Sequence, residues 1–126
     1  ADATGTSLAP PRPAMGDSTI KKVRSDSSPR GPAGQKVLAS GVTLSMRLWE
    51  REPPGADKPS SAREYETVGF VIEGRAELEL EGQTITLEPG DCWVVPRTAR
   101  HRYRILETFT AVEATAPPAQ VHARDE

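Results

Sequence analysis

The chain holds two histidines and one cysteine in 126 residues, so any acid–base or nucleophilic chemistry must rest on few side chains. His101 stands two residues before Tyr103, and side chains two apart on a strand share a face. That places a proton-accepting imidazole beside a phenol able to donate a proton. Further along, Phe109, Ala111 and Glu113 share one parity, as do Arg47 and Trp49 on an earlier run. A guanidinium is a permanent cation whose planar fork grips carboxylate or phosphate through paired hydrogen bonds. Arg47 with Glu113 also reads as a structural ion pair, because a buried charge is kept only where it is paired. The single Cys92 excludes an intrachain disulfide and a cysteine-based zinc site. It sits in an apolar run and is expected to be an inert, buried thiol.

The elements that position these groups follow from composition and pattern. The length suits one modest core. A net charge of -2 gives no general attraction to polyanions, so neither nucleic acid nor membrane is expected as a partner. Twelve prolines and ten glycines point to turns and short strands rather than long helices. No apolar run reaches about 18 residues, the length of a membrane span. The lone cysteine fits a reducing compartment, and a cytoplasmic location is expected. A start at Ala1 rather than Met is expected of a trimmed or processed chain. Residues 1–19, rich in Ala, Pro, Gly, Ser and Thr, are read as a flexible tail. Residues 20–36 carry Lys21, Lys22, Arg24, Arg30 and Lys36 against Asp26. Without interleaved aromatics this lead-in arm reads as solvated rather than nucleic-acid binding.

From Val37 short apolar runs alternate with turn residues, an all-β texture. Strands are expected over 42–49, 68–72, 76–80, 84–87, 92–95, 101–106 and 109–115. Glu73-Gly74 is expected to end the second, and Glu81-Gly82 to form a tight hairpin. Leu78, Leu80, Ile85 and Leu87 are expected to face inward. Trp49, Phe70 and Trp93 are read as core or dimer contacts. Residues 118–126 form a polar tail, expected to be frayed. Regular turns between short strands indicate a sandwich or barrel.

Two stretches are more specific. Gly55 to Gly74, GADKPSSAREYETVGFVIEG, resembles the first motif of the cupins, G-x5-H-x-H-x3-E-x6-G. Gly90 onward, GDCWVVPRTARHRYRI, resembles the second, G-x5-P-x-G-x2-H-x3-N. Both fit without a gap. The resemblance covers about residues 37–117 and is to small single-domain bacterial cupins, of the RmlC-like type. It implies a double-stranded β-helix, or jelly-roll, barrel. Carried over, the motif-one histidines fall on Ser61 and Arg63, the glutamate on Thr67, and the motif-two histidine on His101. The second glycine of motif two falls on Thr98 and the asparagine on Ile105. Three of four expected ligands are replaced, which makes this a degenerate metal site. A hydroxyl is a poor ligand and a guanidinium repels a cation, so no cofactor is expected. A divalent iron, manganese, nickel or zinc ion is the minority alternative.

Taking those positions as inward by family register, the same parity adds Tyr65 and Tyr103. The implied pocket is Arg47, Ser61, Arg63, Thr67, His101, Tyr103, Phe109 and Glu113, with Glu64 and Glu66 on the opposite parity. The leading reading is a module binding a small anionic or polyhydroxylated ligand without metal. One alternative is a metal-independent, epimerase-like enzyme with His101 as base and Tyr103 as acid. Another is a metal-dependent dioxygenase or isomerase with substitute ligands. The resemblance also implies a homodimer, with edge strands and an N-terminal arm as contacts.

Overall fold

The computed structural model describes residues 20–55 and 58–119. The expectations for residues 1–19 and 120–126 therefore lie outside the described residues. A 3-10 turn at Ser25–Ser27 precedes β1 (Lys36–Ser40), β2 (Ser45–Glu52), β3 (Glu66–Leu80), β4 (Gln83–Leu87), β5 (Cys92–Val95) and β6 (His101–Ala116). All pairings are antiparallel, in the order β1-β2-β6-β3-β4, with β5 on β3.

The long strands β3 and β6 carry the architecture. The first half of β3, Glu66 to Val71, pairs with the end of β6 and, on its other edge, with β5. Its second half, Ala76 to Leu80, pairs with the start of β6 and with β4. The pair bends in the middle and closes over one core of Val71, Ala76, Leu78, Leu87, Trp93, Val95, Ile105, Phe109 and Ala111. This is the all-β barrel that the strand texture implies.

Four expectations change here. The segments 68–72 and 76–80 are one strand, as are 101–106 and 109–115. Glu73-Gly74 bends the chain without ending the ladder. Gly74 has φ +85°, and a Cβ there would run into the Thr108 carbonyl oxygen of the bent partner. The register shifts across the bend. The inward residues of β3 accordingly switch from Thr67 and Val71 to Ala76 and Leu78. A period-2 reading sees two strands at such a slip. Second, β1 was not expected and Val42 lies outside the strands, 62% exposed. Third, Ile85 and Cys92 face outward rather than inward, and Phe70 lies on the outer face, outside the core. With Met46, Val68, Ile72 and Val94, Phe70 and Cys92 leave much apolar surface on the outside. Fourth, Pro118 and Ala119 are buried rather than frayed, and the Ala119 N–H donates to Thr115 Oγ1 at 2.9 Å.

The turn before β6 explains one motif position. Thr98 sits at φ +66°, the left-handed region that a β-branched residue occupies only under strain. The motif has glycine there, and the backbone keeps that conformation although the residue has changed. Thr98→Gly should therefore raise unfolding free energy by about 0.5–1 kcal/mol, strain relief exceeding the entropy cost of glycine. Urea denaturation of the two proteins checks this; an unchanged or lower midpoint would sink it.

Candidate functional site

The two motif halves meet at one end of the barrel. The loop before β3 lies against the start of β6, and Ser61 and His101 exchange both backbone hydrogen bonds at 2.9 Å. The Thr98 N–H donates to the Arg63 carbonyl at 2.8 Å. Loop residues 61–63 are thereby fixed at the mouth although they belong to no strand.

Behind the mouth lies a buried ion pair. Arg47 on β2 and Glu113 on β6 are directly opposed across the ladder. Arg47 Nε donates to Glu113 Oε1 at 2.6 Å, and Trp49 Nε1 donates to the same oxygen at 2.8 Å. Arg47 Nη1 donates to the Tyr65 hydroxyl at 3.2 Å. The guanidinium also lies over the Trp49 and Tyr65 rings, 5.4 and 5.3 Å from their centroids. The charge is thus kept out of water by pairing, hydrogen bonds and aromatic faces together.

Two chambers surround this pair. The outer one, about 220 Å³, is lined by Arg47, Lys58, Ser61, Arg63, Tyr65, His101 and Tyr103 among others. No carboxylate lines it among the described residues. The inner one, about 70 Å³, is lined by Trp93, Ile105 and Phe109, with Glu52 and Glu113, and its open wall is almost wholly apolar. Trp49, Lys58 and Tyr103 line both and form the partition. Lys58 Nζ reaches back to Glu52 Oε1 at 3.0 Å and lies over the Trp49 ring.

Of the expected residues, Arg47, Ser61, Arg63, His101 and Tyr103 come together around the outer chamber. Phe109 and Glu113 line the inner one. Thr67 is buried but lines neither, packed where β3 pairs with both β5 and β6. Glu64 and Glu66 are exposed. Lys58 belongs to the site without being among the expected residues; it lies in the first motif stretch three residues before Ser61, at a position the motif leaves open. Trp93 and Ile105 were read as packing and replacement positions, yet they are the inner wall.

The donor set does not fit a divalent ion. Ser61, Arg63 and Thr67 offer two hydroxyls and a cation, and His101 is a single imidazole. No group of three or more His, Cys, Asp or Glu side chains able to hold a metal occurs among the described residues. His101 and Tyr103 do not form a proton-transfer pair either. His101 Nδ1 donates to the Ala99 carbonyl at 3.0 Å, leaving Nε2 as the acceptor, and its ring meets Tyr103 edge-on at 5.7 Å. The Tyr103 hydroxyl instead accepts from Trp93 Nε1 at 3.1 Å. Burial pushes the Tyr103 phenol far above its ordinary value, and the Glu113 carboxylate adds to this, against the Trp93 hydrogen bond. A phenol held so firmly protonated is a poor general acid at neutral pH.

Two outcomes follow. Glu113→Leu should cost about 3–5 kcal/mol by stranding the Arg47 charge, and Arg47→Met with Glu113→Leu should recover most of it. Denaturation of the single and double variants decides; a double variant no better than the single would refute the account. The raised Tyr103 pKa has a definite sign. Tyr103 stays protonated in the fold where it ionises in the unfolded chain, so its effect is nil below about pH 10 and destabilising above it. Unfolding free energy should fall through this range more steeply than in Tyr103→Phe.

The family described as Cupin domain matches residues 48–116, more than half of the chain. The structure is similar to that of KdgF from Halomonas sp., with TM-score 0.70 and 24% identity over 79% of this chain and 94% of that one. It is also similar to an RmlC-like cupin from Shewanella frigidimarina, with TM-score 0.68 and 18% identity over 79% and 92%. A salicylate 1,2-dioxygenase from Pseudaminobacter salicylatoxidans matches with TM-score 0.56 and 25% identity over 60% of this chain but 21% of that longer one. No curated protein matches significantly. The bent β3–β6 pair, the two gap-free motifs meeting at the mouth and the family match agree: the chain belongs to the cupin family.

Proposed function

We propose that the barrel is a binding module for a small organic anion, held at the mouth without a metal at the old ligand positions. The observation that supports this is the charge of the outer chamber, where Arg47, Lys58 and Arg63 face a space with no lining carboxylate among the described residues. Arg47 is committed to Glu113 and Lys58 to Glu52. Arg63, half-buried, has no carboxylate within ion-pair distance among the described residues and is the group left to receive a ligand. The Ser61 hydroxyl lines the same chamber and can donate a hydrogen bond to an anion held there. A guanidinium in a partly enclosed site binds a carboxylate or phosphate through charge-assisted hydrogen bonds.

At position 63 a permanent cation stands where the motif has a neutral imidazole. In a metal-holding cupin the ion would supply the positive charge; here arginine at position 63 supplies it. The homodimer reading is supported by the exposed apolar side chains Met46, Val68, Phe70 and Val94, since a second copy would cover surface that water solvates poorly.

Isothermal titration with acetate and with inorganic phosphate is the direct test. Arg63→Ala should weaken the anion that binds by about tenfold or more, the value of a charge-assisted hydrogen bond, and Arg63→Lys should restore part of it. An affinity unchanged in Arg63→Ala would overturn the proposal.

A further inference from the structure

We infer that the ligand is amphiphilic: a small monocarboxylate with a short aliphatic tail, its head in the outer chamber and its tail in the inner one. This rests on the anion-binding reading and narrows it. The outer chamber alone would suit any small anion, a polyhydroxylated sugar acid included. The inner chamber is the discriminating feature. It adjoins the outer one across Trp49, Lys58 and Tyr103, and beyond them lie Trp93, Ile105 and Phe109.

The two carboxylates at its edge contribute almost nothing to its open wall. Glu113 Oε1 already accepts from Arg47 and Trp49, and Glu52 Oε1 from Lys58. The Tyr103 oxygen is likewise engaged by Trp93 Nε1. A hydroxylated tail would lose its hydrogen bonds to water on entering and find few free partners, a net cost. An aliphatic tail loses nothing and gains burial.

Size sets the tail length. The inner chamber is about 70 Å³. At roughly 30 Å³ per carbon, near the volume a water takes, it holds about two to three carbons. With the head group outside, butanoate fits best. Lys58, the most flexible member of the partition, can move aside for the tail; its side chain is 36% exposed.

The test is a series of straight-chain acids from acetate to hexanoate, with gluconate as the hydroxylated comparison, titrated by calorimetry. Affinity should rise about fourfold for each carbon from acetate to butanoate and then level off, the increment of burying one methylene. Gluconate should bind no better than acetate. Ile105→Trp, which fills the inner chamber, should flatten the series. Phe109→Leu, which enlarges it, should move the levelling point to longer acids and covers the case where the first variant does not fold. Of the two tryptophans in the chain, Trp93 lines only the inner chamber and Trp49 lines both, so their fluorescence should respond more strongly to butanoate than to acetate. Arg63-dependent binding of acetate with a flat series, or gluconate binding more tightly than butanoate, would overturn the inference while leaving the anion site standing. Failure of every acid and of inorganic phosphate to bind would overturn both, and binding of phosphate alone would overturn only this inference.

Discussion

The bent ladder between β3 and β6 is the constraint from which the rest of the molecule follows. The two strands stay paired from Glu66 opposite Ala116 to Leu80 opposite His101. Because they stay paired while they bend, each half of β3 has a free edge facing a different way, and β5 takes one edge while β4 takes the other. The bend itself demands a residue without a side chain at Gly74, where the partner backbone leaves no room. It also brings the start of β6, with His101, within backbone reach of Ser61 in the loop before β3. The mouth is therefore a product of strand pairing and needs no separate element to assemble it.

Within that frame the Arg47–Glu113 pair governs the character of the interior. Two charges under one-tenth exposed divide the space into a cationic outer part and an apolar inner part. Their stability comes from geometry more than from charge alone. The residues are cross-strand partners, so the ladder brings their backbones together before either side chain is ordered. Trp49 and Tyr65 then supply the donors, acceptors and ring faces that water would otherwise provide. Trp93 holds the far wall, and it lies so close over Gly69 that a Cβ at that position would meet its ring.

Much of this was legible beforehand because it depends on local rules. Turn chemistry located the Glu81-Gly82 hairpin, and glycine and proline spacing located both motif halves. The pairing of Arg47 with Glu113 followed from the rule that buried charge needs a partner. What escaped was set by tertiary geometry. The bend at Gly74 shifts register by one residue, so alternation reads as two strands where one exists. The outward positions of Phe70 and Ile85 oppose their hydropathy, and no local pattern says which face of an apolar strand is covered. Thr67 was carried over on family register and is indeed turned inside, yet it lines neither chamber. No motif position marks Lys58, and only the fold sets its ammonium over the ring of Trp49.

The immobilised guanidinium has a consequence for redesign. Histidines placed at positions 61 and 63 would ask a divalent ion to share a chamber with Arg47, which cannot give up its proton and is held by Glu113, Trp49 and Tyr65. Removing Arg47 alone would strand the Glu113 carboxylate in the core. A metal centre could thus be built into this barrel only by changing several interior residues together.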